Sequence, residues 1–529
     1  MEQPAATAPV DADAAYRAFV ARDAQLDGRL FVGVTSTGVY CRPICRVRTP
    51  RRENCRFFRT PAQAEAAAFR PCLKCRPEIA PGPGLPWSVM DASSTLARQA
   101  AQWLDAHAHS ADEPEAAGVA ALARRLGVSD RHLRRIFAAE HGVTPLQYLQ
   151  TRRLLLAKHL LTDTALPVTQ VAHASGFRSL RRFNAAFAES YRMSPTRLRK
   201  ATVDGPVLPA ADVRVSLAFR EPLARAALLR FLAQRAIPGV EAVDEAAMTV
   251  RRTLRPGLLG APGGWIEATF APDRPLLHLR CAASLADTTG ALLPAVRRWF
   301  DLDADPQAIA EALQALPAVD GLRLPGGLDA FELAVRAVLG QQVTVAAART
   351  LAARLVHRFG APVASPWPEL SHGFPSPPTL AGVELSAIAE LGIIRSRAAA
   401  LVALAQAWPE LQPLLQPHAP AASLVERLRA IGGIGPWTAH YIAMRALGWA
   451  DAFPPGDVAV LNALSLPRGV RAEREAEARS QAWRPWRAYA VLALWNTLPP
   501  PGRAKPPPQV SDAPAASTAA FTPLPETRP

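Results

Sequence analysis

Four of the six cysteines lie close together near the start of the chain, between residues 41 and 75. Cys41 and Cys45 are separated by three residues, Cys72 and Cys75 by two, and the two pairs by twenty-six. Paired cysteines at such spacing are typical of a tetrahedral zinc site, in which four thiolates converge on one ion. The spacing therefore predicts a small domain organised around zinc, with all four cysteines as ligands. Taken alone, it favours a structural zinc that only holds this domain together.

The chain as a whole is too long for a single domain. It has 529 residues, whereas one hydrophobic core stops growing at roughly 250 to 300 residues, so we expect three or four domains. No apolar run approaches the roughly 18 residues that span a bilayer, which excludes a membrane protein. The N-terminus has neither the basic start nor the apolar stretch of a secretory signal. We therefore expect a cytoplasmic protein, in which thiols stay reduced and bind metal.

The net charge of +15 predicts a polyanionic partner. The basic excess lies early in the chain: residues 1 to 205 carry 29 Lys and Arg against 18 Asp and Glu, and residues 206 to 529 carry 31 against 27. All but four of the sixty basic residues are arginine, whose planar fork suits bidentate contacts to phosphate and guanine. A genome-wide composition bias explains the arginine preference equally well.

The cysteines belong to a wider motif. The stretch GVYCRPICRVRTPRRENCRFF, followed by FRPCLKC, resembles the N-terminal domain of the Ada methylphosphotriester methyltransferases over about residues 10 to 80. The resemblance implies a small α/β zinc domain, placed at residues 1 to 80, in which Cys41 is both a zinc ligand and a methyl acceptor. It also implies a switch, because methylation of a zinc-bound thiolate removes one negative charge and weakens repulsion from DNA phosphate. Cys55 and Cys281 lie outside the pattern, and we expect packed thiols there.

Two helix-turn-helix patterns follow the cysteine motif. VAALARRLGVSDRHLRRIFAAEHG (residues 119 to 142) predicts two helices joined at Gly127, with Ser129 as the N-cap of the second. VTQVAHASGFRSLRRFNAAFAESY (168 to 191) repeats the pattern, with Gly176 in the turn. Residues 90 to 200, including the closing MSPTRLRK, resemble the AraC-type DNA-binding domain. This resemblance implies an all-α double helix-turn-helix domain that binds double-stranded DNA and, as an activator, has RNA polymerase as a partner.

The second helix of each pattern is the candidate recognition helix. Such helices place their N-terminal side chains against base edges. The candidates are Asp130, Arg131 and Arg134 in the first helix and Arg178, Arg181, Arg182 and Asn184 in or just before the second. For any one arginine, contact with phosphate or solvent explains its position as well as base readout does, because half or more of protein–DNA hydrogen bonds go to the backbone.

Beyond the helix-turn-helix patterns, residues 212 to 300 are predicted to form a small α+β domain. VRVSLAF (213 to 219) and LLHLRCA (276 to 282) alternate like strands on either side of the helical ALLRFLAQRA. From there the pattern is helical almost throughout, which predicts an all-α domain over residues 301 to 500. The end of the chain, residues 501 to 529, is rich in proline, alanine, serine and threonine and is predicted to be a disordered tail.

A glycine-rich hairpin marks the helical part. LRAIGGIGPWTAHYIAMRAL (428 to 447) places Gly432, Gly433 and Gly435 in a turn, where backbone amides can approach a phosphate closely. Alone, the glycines are equally compatible with a purely structural turn. GIGPWTA followed by FPPGDVAVLNAL resembles the helix-hairpin-helix DNA glycosylases, and LRLPGGLDAFELAVRAVLGQQVT and RPWRAYAVLALW narrow this to the 3-methyladenine DNA glycosylase II family, over about residues 212 to 500.

The glycosylase resemblance implies roles for individual residues. The implied catalytic carboxylate is Asp457, and the implied aromatic wall for a flipped base is formed by Trp437, Tyr441 and Trp495. The implied DNA contacts are Gly433 and Gly435, with a monovalent cation at the hairpin, and an intercalating wedge at Gln342, where the best-known members carry an apolar residue. The alternatives are a helix N-cap for Asp457 and core packing for the aromatic residues.

The reaction expected from the resemblance is hydrolysis without strand cleavage. Bifunctional members of the superfamily use a hairpin lysine as a Schiff-base nucleophile, and Trp437 occupies that position here. The only lysine after residue 205 is Lys505, so we expect a monofunctional enzyme that leaves an intact abasic site. Because an alkylated purine is already a cationic leaving group, the carboxylate has mainly to stabilise the oxocarbenium-like sugar.

Together the motifs predict a multidomain, mainly α protein that senses and repairs DNA alkylation. A zinc-dependent methyl acceptor and transcription switch is fused to a glycosylase for 3-methyladenine and related bases, with double-stranded and alkylated DNA as partners and the nucleoid as location. Two alternatives stay open: a pure transcription regulator with an inactive glycosylase domain, and a repair enzyme whose helix-turn-helix pair only adds nonspecific DNA affinity. Release of free base from alkylated DNA tests the first, and a sequence-specific footprint tests the second.

Overall fold

The protein is mainly helical, with several domains and two small β-sheets. A computed structural model describes residues 10–82, 92–109, 115–202, 212–416 and 419–498. The fold class expected from the sequence is confirmed, whereas the domain limits given above stay predictions. The predicted tail, residues 501 to 529, lies outside the described residues. In the described parts of the chain, no helix is both long and apolar enough to cross a membrane.

The N-terminal domain is a small sheet with flanking helices. Its elements are α1 (Ala12–Ala21), β1 (Phe31–Val34), β2 (Val39–Cys41), β3 (Cys55–Phe58), α2 (Pro61–Ala66) and β4 (Arg70–Pro71). The strand order is β3-β1-β2-β4, with β1 antiparallel to both of its neighbours and β4 parallel to β2. Because β2 ends at Cys41 and β4 ends just before Cys72, the parallel pair brings two predicted ligands to one end of the sheet.

The second domain is helical. Its elements are α3 (Ala92–His107), α4 (Glu115–Arg125), α5 (Asp130–His141), α6 (Pro145–Asp163), α7 (Val168–Ala174), α8 (Leu180–Tyr191) and α9 (Pro195–Thr202). Gly127 and Gly176 take φ angles of +68° and +81° in the turns before α5 and α8. Ser129 and Ser179 cap these two helices, as each side chain accepts a backbone N–H three residues on. The 19-residue helix α6 connects the two units.

The third domain is an antiparallel sheet covered by helices. Its elements are β5 (Asp212–Ala218), α10 (Arg225–Arg235), β6 (Glu241–Asp244), β7 (Thr249–Leu254), β8 (Gly264–Phe270), β9 (Leu276–Ala282) and α11 (Thr289–Trp299). The strand order is β5-β9-β8-β7-β6. The two strands predicted from sequence alternation therefore pair directly, with Val213 opposite Cys281.

The C-terminal domain consists of helices around the glycine hairpin. The helices are α12 (Pro306–Ala312), α13 (Ala330–Leu339), α14 (Val345–Phe359), α15 (Pro377–Ala381), α16 (Leu385–Ala389), α17 (Arg395–Gln406), α18 (Trp408–Leu411), α19 (Ala421–Arg429), α20 (Pro436–Ile442), α21 (Val458–Ala463), α22 (Val470–Ser480) and α23 (Arg487–Thr497). The hairpin joins α19 to α20, and α20 continues into a π-helical turn at Ala443–Leu447. Two buried clusters fill this domain, one on each side of that turn.

The second helix-turn-helix unit and the α+β domain share one hydrophobic core. Phe183 and Phe187 of α8 belong to the same buried cluster as Leu217 of β5. Asp163, the last residue of α6, also accepts a hydrogen bond from the backbone N–H of Ser216 (2.9 Å). The second helix-turn-helix unit and the α+β domain are thus packed together through side chains as well as joined in sequence.

The N-terminal domain packs against both of its neighbours. Its buried Glu78 pairs with Lys158 of α6, with 2.5 Å between Oε2 and Nζ. Arg220, which follows β5 and is 2% exposed, donates to the carbonyl oxygens of Asp27 and Gly82 in the N-terminal domain. Charged side chains therefore join this domain to the helical domain on one side and to the α+β domain on the other.

Candidate zinc centre, recognition helices and base pocket

Four cysteine thiols meet at one end of the N-terminal sheet. The Sγ atoms of Cys41, Cys45, Cys72 and Cys75 all lie within 4.8 Å of one another. The backbone N–H of Cys72 donates to the carbonyl oxygen of Tyr40 (3.0 Å), which extends the pairing of β2 with β4 and sets two ligands side by side. Three of the cysteines are buried and Cys75 is half-buried. Four converging thiols suit tetrahedral zinc, and the predicted zinc site is confirmed.

Arg42, which the sequence analysis did not single out, joins the two halves of this centre. Its backbone N–H donates to the Sγ of Cys75 (3.3 Å), and its Nη1 donates to the carbonyl oxygen of Cys75 (3.0 Å). The guanidinium also pairs with Asp27, and both side chains are buried. An N–H donor and a cation beside thiolates stabilise their negative charge. A basic residue after a cysteine is too common in sequences to signal such a role.

The two remaining cysteines behave as packed thiols. Cys55 packs in the same small apolar cluster as the zinc ligands but is not one of the four converging sulfurs. Cys281 lies on β9 with no exposed surface. Burial raises the pKa of Cys55 and raises the pKa of Cys281 to about 12. Both thiols therefore stay protonated at neutral pH, and a protonated thiol is a poor nucleophile.

Both candidate recognition helices present polar side chains at their N-terminal ends, but with different charge. In α5, Arg131 is exposed, and half-buried Arg134 pairs with Asp130 one turn earlier (Nε–Oδ2 2.9 Å). The candidates at the start of α8 are all exposed: Arg178, Arg181, Arg182 and Asn184. The second helix therefore presents the more strongly positive surface, because Asp130 partly neutralises the first.

The glycine hairpin has one position that only glycine can fill. Gly433 takes φ +87°, and a Cβ there would lie 2.7 Å from the Cβ of Ala400. A Cβ at Gly432 or Gly435 would meet no atom within 4 Å, and Gly435 has an ordinary φ of −80°. The turn itself therefore requires Gly433, while Gly432 and Gly435 leave the surface open to an approaching molecule.

The structure brings together the predicted catalytic carboxylate and the three aromatic residues of the predicted base pocket. The rings of Trp437 and Tyr441 stack with 5.1 Å between centroids and 11° between planes, and Trp495 lies 6.2 Å from Tyr441. Asp457 is buried at the start of α21, where its Oδ1 caps the helix by accepting the backbone N–H of Val460 (2.9 Å). Carboxylate and aromatic rings thus occupy one site.

Two indole groups bind the carboxylate directly. Trp437 Nε1 donates to Oδ2 of Asp457 (2.8 Å), and Trp495 Nε1 donates to Oδ1 (3.1 Å). The aromatic wall (Trp437, Tyr441 and Trp495) and the carboxylate therefore form one bonded unit. With the N-cap bond, three N–H donors hold the carboxylate in one orientation, so the N-cap role foreseen as an alternative coexists with direct contact to the aromatic rings. The sequence did not predict the indole bonds, because spacing carries no information on side-chain direction across α20, α21 and α23.

Two arginines surround the phenol of Tyr441. Nη1 of Arg445 donates to the hydroxyl oxygen (3.0 Å), and Arg235 of α10 lies beside the same oxygen. Burial alone would raise the pKa of Tyr441, but these two guanidinium groups lower it below its ordinary value. The aromatic wall is thus attached to the α+β domain as well as to its own helix.

The predicted wedge residue stands in a strained turn beside the hairpin. Gln342 is exposed, and its φ of +54° lies in the left-handed region that side chains disfavour. The neighbouring Gln341 donates from Nε2 to the carbonyl oxygen of Gly433 (2.9 Å) and to the hydroxyl of Thr438 (3.0 Å). These bonds fix the turn against the hairpin. Strain of this kind is often found at functional sites.

Four stretches of the chain match known protein families. Residues 14–78 match the metal binding domain of Ada, 122–201 a helix-turn-helix domain, 214–329 the AlkA N-terminal domain, and 335–488 the HhH-GPD superfamily of base excision DNA repair proteins. The chain is 38% identical over 510 residues to the "Probable bifunctional transcriptional activator/DNA repair enzyme AlkA" of Mycobacterium tuberculosis, which covers 94% of this chain and 98% of that protein. The chain belongs to this AlkA family. The family resemblances noted in the sequence are thereby confirmed.

The two halves of this AlkA-family protein also match separate proteins of Escherichia coli. DNA-3-methyladenine glycosylase 2 is 36% identical over 271 residues, covering 51% of this chain and 92% of that protein. The bifunctional transcriptional activator/DNA repair enzyme Ada is 32% identical over 165 residues, covering 31% of this chain and 42% of that protein. The C-terminal part of the chain is therefore a helix-hairpin-helix DNA glycosylase domain, and the N-terminal part is an Ada-type zinc and helix-turn-helix region.

Proposed function

We propose that this AlkA-family protein removes 3-methyladenine and related alkylated bases from double-stranded DNA, with Asp457 as the catalytic carboxylate. The observation that carries the proposal is the environment of Asp457, whose two oxygens accept the indole N–H groups of Trp437 and Trp495. A carboxylate held by three donors at the edge of stacked rings is suited to act on a base that stacks on those rings. The name of the Escherichia coli glycosylase supports this substrate class.

The chemistry follows from charge. An alkylated purine is cationic, so it stacks well on electron-rich rings and leaves readily once the bond from the sugar C1′ to the base nitrogen stretches. The fixed carboxylate stabilises the positive charge that develops on the sugar, and water adds at C1′ to leave an abasic site. With Lys505 as the only lysine after residue 205, no glycosylase-domain lysine can form a Schiff base. We therefore propose hydrolysis without strand cleavage.

Substitution of Asp457 tests the glycosylase proposal. Asp457→Asn keeps the shape of the side chain but removes its charge, so the excision rate should fall by roughly 10² or more while binding to DNA persists. The measurement is release of free base from alkylated DNA, with binding followed in parallel. Undiminished excision by the variant would contradict the assignment. A covalent complex with abasic DNA after borohydride treatment would contradict hydrolysis without a Schiff base.

We also propose that Cys41 accepts a methyl group from a DNA methylphosphotriester. Its thiolate attacks the methyl carbon, so that an S–C bond forms as the C–O bond breaks and the DNA phosphate leaves as an ordinary diester anion. Bound zinc supplies a deprotonated thiol at neutral pH. The resulting thioether is neutral, and the centre then repels DNA phosphate less. The match to the Ada metal binding domain and the convergence of four thiols support this proposal.

Mass spectrometry tests the methyl acceptor. After exposure to DNA that carries methylphosphotriesters, the protein should gain the mass of one methylene group on Cys41, and Cys41→Ser should gain none. Metal content is measured beside it, and Cys55→Ser serves as a matched control because that thiol lies outside the zinc ligands. An adduct that maps to Cys45, Cys72 or Cys75 would contradict the assignment.

We propose that the helix-turn-helix pair reads a specific DNA sequence as a transcriptional activator, with RNA polymerase as its partner, on the nucleoid in the cytoplasm. The exposed arginines at the start of α8 support base or phosphate contacts there. A protected footprint that strengthens after methylation of Cys41 would support a switch. Uniform protection without sequence preference would instead favour helix-turn-helix units that only add nonspecific affinity.

A further inference from the structure

Arg445 lies in line with two residues of the aromatic wall. Trp437, Tyr441 and Arg445 follow one another at intervals of four residues, on α20 and the π-helical turn that continues it. Residues four apart lie on the same helix face, and Arg445 accordingly donates to the hydroxyl of Tyr441 (3.0 Å). The π-helical turn is a rare local widening that often occurs at functional sites.

The remaining contacts of Arg445 reach two other parts of the fold. Its Nε donates to the carbonyl oxygen of Pro325, and its Nη2 donates to that of Gly326 (3.3 Å). Its guanidinium carbon lies 4.8 Å from the ring centroid of Phe231 on α10. One side chain therefore ties the hairpin helix, the loop before α13 and the α+β domain together at the phenol of Tyr441.

A purely structural role accounts for only part of this arrangement. Arg445 is 4% exposed, and within the described residues no ion pair joins it to a carboxylate. A buried cation without a counter-charge is costly, and its bonds to the carbonyl oxygens of Pro325 and Gly326 offset only part of that cost. Two of its bonds fix the guanidinium to the loop before α13, and the third directs a donor from that fixed position at the hydroxyl of Tyr441.

We propose that Arg445 is a positioning residue, which fixes the ring of Tyr441 parallel to Trp437 as a platform for the flipped base. The hydroxyl bond holds the far end of the ring and α20 holds the near end, so the ring does not have to be ordered when a base arrives. Such pre-organisation strengthens binding without new contacts to the ligand. The inference rests on the proposed base pocket and deepens it.

A double-mutant cycle between Arg445 and Tyr441 tests this role in the full-length, zinc-loaded protein. Single-turnover excision of 3-methyladenine is measured over a range of enzyme concentrations. Arg445→Met and Tyr441→Phe should each raise the enzyme concentration for half-maximal rate by roughly tenfold, with a smaller change in the maximal rate. Both variants remove the bond between Arg445 and Tyr441, and Tyr441→Phe also removes the contact with Arg235, so the double variant should be no worse than Tyr441→Phe alone. Arg445→Lys keeps the charge and a donor and should restore part of the loss.

The matched control is Arg487→Met. Arg487 is a buried arginine of the same domain, but it pairs with Asp451 and Glu477 and not with the pocket. If Arg487→Met lowers excision by reducing stability, its effect should add fully to the effect of Tyr441→Phe when the two variants are combined. If the effects of Arg445→Met and Tyr441→Phe add fully in the double variant, the inference is overturned. Wild-type excision by Tyr441→Phe would also overturn it, and this second test holds even if Arg445→Met folds poorly. A wild-type protein that releases no base would instead overturn the proposed glycosylase function.

Discussion

Single residues in the base pocket serve more than one purpose. Trp437 stacks on Tyr441 and also donates its indole N–H to Asp457 (2.8 Å). Trp495 donates to the other carboxylate oxygen. A substitution to alanine at either tryptophan would therefore remove a stacking surface and a carboxylate partner together. Replacement by phenylalanine separates the two, because it keeps an aromatic ring and removes only the donor.

We predict that Trp437→Phe lowers the maximal excision rate more than it lowers affinity for alkylated DNA. Loss of one hydrogen bond to a charged group is worth roughly 1.5 to 3 kcal/mol, which is about a tenfold or larger fall in rate if the bond orients the carboxylate in the transition state. Single-turnover excision and equilibrium binding measure the two effects. Trp449→Phe is the control, because the ring of Trp449 stacks on His440 in the same domain, and it should change neither. Weaker binding at an unchanged rate would show that stacking alone matters.

At the scale of elements, two glycines of the hairpin have different roles: the fold requires Gly433, whereas Gly435 leaves the surface of the hairpin open. Gly433→Ala meets both a positive φ and a Cβ contact of 2.7 Å with Ala400, so we predict a loss of roughly 1 to 3 kcal/mol of stability. Gly435→Ala has ordinary backbone angles and open space around its Cβ. Its methyl group should leave the melting temperature unchanged and weaken DNA binding by keeping a phosphate away from the backbone. Equal effects of the two variants on stability would contradict this distinction.

Features that depend on neighbouring residues, such as helix caps and turns, could be predicted from the sequence. Contacts between distant elements could not. The N-cap Ser129 and the turn glycines Gly127 and Gly176 are local features, and the structure shows each one where the pattern placed it. The clustering of Asp457 with the aromatic wall followed from family resemblance. Sequence spacing does not encode the direction of a side chain between distant segments, so it gave no sign of the indole bonds, the Arg42 contacts or the shared core.

At the scale of the whole molecule, domain interfaces contain titratable groups. Glu65 accepts hydrogen bonds from Tyr40 (3.0 Å) in its own domain and from Thr151 of α6 (3.1 Å). Burial raises the pKa of Glu65 to about 8, although both hydroxyls and Lys158 oppose the shift. The folded protein therefore keeps this proton at a pH where the unfolded chain, with its ordinary carboxyl pKa, has released it. The contribution of this protonated carboxyl group to the free energy of unfolding is therefore complete below about pH 4.3, and it is lost as the pH rises towards 8.

We predict that Glu65→Gln makes the protein less sensitive to this pH range. Glutamine resembles the protonated carboxyl group and cannot ionise, so the melting temperature of the variant relative to wild type should rise between pH 5 and pH 8. Thermal melts of both proteins at matched pH measure this difference, and effects of pH on zinc binding cancel in the comparison. A difference that stays constant or falls with pH would show that Glu65 is ionised in the folded protein.

The contacts of Arg220 predict that zinc stabilises more than its own domain. This arginine donates to Asp27 and Gly82 of the N-terminal domain and also to the carbonyl oxygens of Asp303 (3.0 Å) and Ala304 (3.3 Å) beyond the α+β domain. If chelation of zinc unfolds the N-terminal domain, Arg220 loses half of these acceptors, and each lost bond to a charged group costs roughly 1.5 to 3 kcal/mol.

Zinc removal should therefore lower the melting temperature of the glycosylase part by several degrees, a shift that calorimetry with and without a chelator can measure. In Arg220→Met this sensitivity should be smaller, because its bonds are already absent and the ion pair between Arg29 and Asp305 remains. Arg252→Met provides the control, since buried Arg252 pairs with Glu241 and Glu332 away from the N-terminal domain and should lower stability equally with or without zinc. If the melting temperature of the glycosylase part of the wild-type protein is the same with and without zinc, the interface does not couple the stability of the N-terminal domain to that of the glycosylase part.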